Sequence, residues 1–241
     1  MEVCVDTIES ALNAEKGGAI RIELCSSLAE GGLTPSVGFL KAVKRNVGIP
    51  IFVMIRCRGG DFVYSDEEIQ IMLEDIRHLK DNGADGFVLG VLNENRDVDY
   101  EKCKVLVDAC SPFPVTFHRA FDEVVNPKEN FQTVVNLGCS RLLTSGCEPT
   151  AVEGASLIRE LVNEGKITVM PGSGITVDNV GQILRCTGAK EFHGSAKVKV
   201  EKNGHFRSVT DDKLVIEMTE IYKKIVFCQQ CLSCDCEHRC L

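Results

Sequence analysis

Four short segments of the chain share one pattern: GAIRI (18–22), GADGF (83–87), GCSRL (138–142) and GAKEF (188–192). Each has Gly, a small residue, two variable positions and an apolar one. Each joins the end of a segment with helical period to the start of a short apolar run. Gly suits the left-handed cap that ends a helix, and the small residue lets the chain turn tightly into a strand. Four such joints commit the chain to a repeated helix-to-strand architecture.

The apolar runs between and around these joints read as eight strands. They are EVCV (2–5), RIELC (21–25), IFVMIR (51–56), GFVLGV (86–91), PVTFHR (114–119), RLLTS (141–145), ITVMP (167–171) and EFHGS (191–195). The segments separating them carry helical period. In SDEEIQIMLEDIRHLKDNG, Ile69, Met72, Leu73, Ile76 and Leu79 recur at three- and four-residue spacings. Ser65 with Glu68 forms a capping box at the start of this helix, and Gly83 ends it. SLIRELVNEG and KLVIEMTEIYKKIVF read the same way. The repeated joints fall at strands two, four, six and eight. Eight βα units within residues 1–227 fit a single-domain (β/α)8 TIM-like barrel, for which ~250 residues is typical. A doubly wound sheet would carry a Gly-rich turn after its first strand, and CVDTIES has none.

The charge balance narrows the function. A formal net charge of −8, with scattered Lys and Arg, argues against nucleic acid and anionic membrane as partners. No apolar run approaches the ~20 residues of a membrane span. Met1 leads directly into a strand-like segment, so no signal peptide is expected and the cytosol is the default location. The 13 Cys should then be mostly reduced thiols.

Barrel strands alternate faces, and the outer face must be apolar to pack on helices. Val3 and Val5 satisfy this in strand one, which turns Glu2, Cys4 and Asp6 inward. Ile22 and Leu24 do so in strand two, which turns Glu23 and Cys25 inward. The same alternation sends Arg56, Thr116, His118, Thr144, Glu191, His193 and Ser195 into the lumen. Branched apolar residues fill an ordinary barrel, whereas this lumen is polar. Buried charges persist when paired, so Glu2, Glu23, Arg56 and His118 are expected to form a network. Its functional end belongs at the C-terminal mouth, where His118 and Arg119 finish strand five.

Two chemistries fit such a mouth. In one, it binds an anionic metabolite. Gly172, Ser173 and Gly174 follow strand seven, and Gly194 and Ser195 end strand eight, where many barrels hold a phosphate on backbone amides. Arg56 and Arg58 could clamp a phosphate or carboxylate. If this site is catalytic, Glu23, Arg56, His118, Arg119 and His193 are the groups available to it. In the other, Cys4 and Cys25 bind a soft metal. They lie on adjacent strands ~4.8 Å apart and could share one ion if the register brings them level. Two thiolates suit Cu(I).

The segments EVCVDTIESALNAEKGGAIRIELC, EGGLTPS, RGGDFVYSD, VTFHRAFD, LLTSG and MPGSGI, in this order, resemble the copper homeostasis protein CutC family, especially its animal members, over about residues 1–200. The resemblance implies a TIM-like barrel, a cytoplasmic and partly nuclear location, and homo-oligomers, either dimers or tetramers. It also implies Cu(I) binding, for which Cys4 and Cys25 match the family's proposed pair. Cys57 stands where the family usually has Pro between two Arg, which places a third thiol near the mouth.

The segment CQQCLSCDCEHRC (228–240) has no counterpart in that resemblance. Cys228, Cys231, Cys234, Cys236 and Cys240 have spacings that let thiolates converge on one soft ion. Residues 228–241 are too polar to fold unaided, so order there is expected only with a metal or a bridge.

Overall fold

A computed structural model describes residues 1–202 and 204–232, with side chains described as far as residue 226 except that of Lys202. Eight parallel strands form a nearly closed barrel: β1 (Glu2–Val5), β2 (Arg21–Leu24), β3 (Ile51–Met54), β4 (Gly86–Leu89), β5 (Val115–Phe117), β6 (Arg141–Thr144), β7 (Thr168–Pro171) and β8 (His193–Gly194). The hydrogen-bonded order is β7-β6-β5-β4-β3-β2-β1-β8. β7 and β8 thus flank the one seam without a backbone ladder among the described residues. They still touch there, since a Cβ on Gly172 would lie 3.5 Å from the Cβ of His193.

Seven helices follow the first seven strands: α1 (Ile8–Lys16), α2 (Val37–Lys44), α3 (Asp66–Asp81), α4 (Tyr100–Cys110), α5 (Pro127–Asn136), α6 (Ala155–Glu164) and α7 (Val177–Thr187). α8 (Asp212–Leu232) completes the ring. The expected capping box on α3 is present, with Ser65 and Glu68 bonded reciprocally. The four glycines of the repeated joints, Gly18, Gly83, Gly138 and Gly188, have φ of 85, 99, 84 and 71°. All four take the left-handed conformation that L side chains rarely adopt, which explains why the pattern demands Gly.

One element was not anticipated from the sequence. Between β8 and α8 an antiparallel hairpin, β9 (Lys197–Lys202) and β10 (His205–Thr210), projects from the mouth side and packs on α1. Its signal is an Asn-Gly pair at 203–204 between two alternating runs. Strand eight is shorter than the expected 191–195. α8 extends to Leu232, so Cys228 and Cys231 lie on its last turns. Cys234, Cys236 and Cys240 lie outside the described residues. Among those described, no helix is long and apolar enough to cross a membrane.

The strands divide two interiors. Val3, Val5, Ile22, Leu24, Val53, Leu89, Phe117, Leu142 and Val169 join the large apolar cluster shared with the helices. Cys25, Phe52, Met54 and Val88 form a separate cluster in the lumen. Register settles which residues face in, because side-by-side partners on parallel strands share a face. Cys4 pairs with Glu23, Glu23 with Phe52, and Met54 with Val88. In β6 the same logic corrects the expectation for Thr144. Arg141 and Leu143 take the inward positions, partnered by Thr168 and Met170. Thr144 sits on the opposite parity, where its hydroxyl donates to Asp122 at 2.5 Å.

Candidate functional site

The lumen holds polar groups at two levels rather than one continuous network. The floor is built by the repeated joints themselves. The fourth positions of the repeats are Arg21, Gly86, Arg141 and Glu191; the first three open β2, β4 and β6, and Glu191 lies two residues before β8. Glu191 accepts from Arg21 Nη2 at 2.6 Å and from Arg141 Nε at 2.9 Å. Arg21 also donates to Glu2. Both guanidinium groups stack on Phe52, at 4.9 and 5.6 Å from its ring centroid. Gly86 leaves the space that this ring occupies. The sequence reading placed Arg21 and Arg141 in strands two and six without singling them out, and by turning Thr144 inward it turned Arg141 outward. Their position in the repeat, one residue before an outward aliphatic, was the available signal.

Glu2, level with Arg21 on one side and His193 on the other, links this floor to His193. The Nδ1–H of His193 donates to Glu2 Oε1 at 2.7 Å. Burial would raise the Glu2 carboxyl, but His193 and Arg21 hold it down at about 2. Burial would lower His193, yet the neighbouring Cys4, Glu23 and Glu2 raise it well above its ordinary value. With Nδ1 engaged by Glu2, the other ring nitrogen faces Glu23 Oε2 at 3.6 Å. Cys4 Sγ, a Glu23 oxygen and a His193 nitrogen all lie within 4.8 Å of one another. A carboxylate that orients an imidazole so that its far nitrogen faces a thiol is a recurring metal-site arrangement. Glu23 Oε1 is buried without a hydrogen-bond partner. Its carboxyl is pushed up chiefly by burial.

Cys25 does not stand level with Cys4. Cys4 pairs with Glu23, and the Cys25 N–H donates to the Val5 carbonyl one residue further along. Cys25 faces the lumen, as the alternation required, but its Sγ donates to Glu23 Oε2 at 3.6 Å. Burial, reinforced by Glu23, pushes the Cys25 thiol well up. The structure therefore brings Cys4 together with Glu23 and His193, and places Cys25 beside that group.

The rim is a second cluster. Arg56 is 5% exposed and donates to the carbonyls of Glu30 at 2.7 Å and Gly60 at 2.6 Å. Its guanidinium lies 4.7 Å from the Phe62 ring centroid, and the His118 ring is centred 5.0 Å from the same ring. His118 Nδ1 accepts from the Ala120 N–H at 3.2 Å, so the ring's proton sits on Nε2. Burial and the charge of Arg56 lower His118 to about 3, which keeps it neutral. Gly90 makes the ring's position possible, because a Cβ there would lie 2.6 Å from His118 Nδ1.

Arg58 is not part of a clamp with Arg56. It points away to Glu68 on α3 at 2.5 Å and to the Val63 carbonyl. Cys57, between them, is half-buried. Arg119 pairs with Asp122 at 2.8 Å and reaches Ser145 Oγ at 3.2 Å. Gly172 donates its N–H to the Thr144 carbonyl, and Ser173 Oγ donates to the Pro149 carbonyl at 2.9 Å. A cavity of about 730 Å3 opens between floor and rim. Cys4, Glu23, Arg56, His118, Arg119, Ser173, Gly174, His193, Gly194 and Ser195 all border it, whereas Cys25 and Gly172 do not.

The comparisons with known proteins agree over nearly the whole barrel. The CutC family model matches residues 1–198. The copper homeostasis protein cutC homologs of Mus musculus and Homo sapiens are each 55% identical over 210 residues, covering 86% of this chain and 77% of theirs. The crystal structure of the copper homeostasis protein CutC from Streptococcus agalactiae superposes with a TM-score of 0.77 at 36% identity, covering 80% of this chain and 97% of that one. A polar-lumened barrel with matching sequence from end to end of its eight strands identifies the chain as a member of the CutC family.

Proposed function

We propose that this chain serves copper homeostasis by binding one Cu(I) ion at the base of the mouth, with Cys4 Sγ and the His193 ring nitrogen that does not bond Glu2 as principal ligands, the ring losing a proton as the ion binds. The supporting observation is the convergence of Cys4, Glu23 and His193 within 4.8 Å on the inner wall of the cavity. Thiolate and imidazole are the soft and intermediate donors that Cu(I) accepts at low coordination number. Glu2 fixes which nitrogen of His193 is offered, as outer carboxylates do at many metal sites. The donor set fits the ion that the family name implies. Cys25 stands one step above and completes a two-thiol set only if its bond to Glu23 opens. Cys4 is thus the ligand shared by the cysteine pair expected from the family and by the cluster observed. The working location is the cytosol, where thiols stay reduced.

Competition titration with a chromogenic Cu(I) chelator under anaerobic conditions tests the reading. Cys4→Ser should lose one equivalent of tightly held copper, and His193→Asn should weaken that same equivalent by about tenfold or more. Cys25→Ser should weaken it less than Cys4→Ser. Copper stoichiometry and affinity unchanged in Cys4→Ser would remove the proposal.

A further inference from the structure

The copper reading uses the base of the mouth and leaves the rim unexplained. Arg56 is a buried cation with its terminal nitrogens committed to carbonyls, and among the described residues it has no carboxylate partner. Its Nε–H is buried without a hydrogen-bond partner. So is the Nε2–H of His118, on a residue 3% exposed. Both residues border the 730 Å3 cavity and flank the Phe62 ring. A buried guanidinium and a buried imidazole donor left unsatisfied are each costly, and two together on one wall call for an acceptor.

The rim's own acids do not supply it. Asp122 is held by Thr144 Oγ1, by the N–H groups of Ser145 and Cys147, and by Arg119. Glu30 accepts from Ser27 Oγ and turns toward Gly59. Tyr64 places its buried hydroxyl beside Arg56 but carries no charge, so no described residue supplies the missing counter-charge.

We propose that the rim is a binding site for a small organic carboxylate, whose two oxygens accept from Arg56 Nε–H and His118 Nε2–H. The two unpartnered N–H donors, one on each residue beside Phe62, equal in number the two oxygens of one carboxylate. A phosphate dianion needs more donors and would face Glu30, Asp122 and Glu148 across the same space. Met54, Leu143 and Ile175 line the cavity beside these donors, so the rest of the ligand is at least partly apolar. The neutral state of His118 favours this role, since it keeps the ring a single-proton donor throughout the physiological range. The site is separate from the copper ligands, and its fate does not depend on theirs.

Nitrogen-15 NMR of His- and Arg-labelled full-length protein tests it with acetate, benzoate and inorganic phosphate as probes. The carboxylates should shift the Arg56 Nε–H and His118 Nε2–H resonances saturably, benzoate at lower concentration than acetate, and phosphate should not. His118→Asn should weaken benzoate by about tenfold or more, the loss of one charge-assisted hydrogen bond. Absence of a saturable shift with either carboxylate, preference for phosphate, or undiminished benzoate affinity in a folded His118→Asn protein would each overturn the proposal. The wild-type spectra decide the matter even if that variant does not fold.

Discussion

His118 should make the fold acid-sensitive in a way that one substitution removes. The folded ring is held at about 3 by burial and by Arg56, while an unfolded His titrates near 6.5. The unfolded state therefore takes up a proton that the folded state refuses. The stabilisation is complete above about pH 6.5 and is lost as pH falls toward the folded value. At about pH 5 the difference amounts to ~1.5 units, or about 2 kcal/mol, and its ceiling near pH 3 is about 5 kcal/mol. Urea unfolding measured between about pH 8 and pH 5 gives the slope, and His118→Asn supplies the comparison. Asn still offers an oxygen to the Ala120 N–H but has no proton to gain. His193, whose raised value stabilises the fold at low pH and ceases to do so as pH rises through it, contributes equally to both proteins and cancels. The wild type should lose about 2 kcal/mol more than the variant across that interval. Parallel stability curves would show that the ring is solvated or paired, and would refute the account of the rim given above.

Other outcomes follow from contacts elsewhere. Gly90→Ala forces a methyl group to 2.6 Å from His118 Nδ1 and should cost about 1–3 kcal/mol in the same urea assay. Glu191→Ala leaves Arg21 and Arg141 facing each other across the floor and should cost about 3–5 kcal/mol. Ser65→Ala removes the cap of α3, with an expected loss of about 1 kcal/mol. The one-equivalent difference in copper between wild type and Cys4→Ser should persist when residues 233–241 are deleted from both proteins, as metal counting of the two pairs would show.

The barrel was legible because its rules are local. A glycine that must adopt positive φ at Gly18, Gly83, Gly138 and Gly188 marks four turns in the sequence, and an outward aliphatic fixes the parity of each strand. Parity correctly turned Glu2, Cys4, Glu23, Cys25 and His193 inward. It failed at β6, where Leu142 and Leu143 are equivalent in composition and only the pairing with β5 and β7 distinguishes them. Parity also says nothing about height in the lumen. Whether Cys4 stands level with Glu23 or with Cys25 depends on the stagger between β1 and β2, a long-range quantity that no short segment encodes. The partners of Arg56 were hidden for a related reason. Its hydrogen bonds run to main-chain carbonyls of two loops, at Glu30 and Gly60, and carbonyls leave no trace in a sequence.

The stack of Arg21, Phe52 and Arg141, cross-braced by Glu191, makes the barrel a blind well. A guest reaching the sulfur of Cys4 therefore arrives from the mouth side, where Cys4 borders both the main cavity and a second one beside the β9–β10 hairpin. A carboxylate lodged under Phe62 would then crowd the main cavity, leaving the hairpin side as the open route by which an ion exchanges at Cys4.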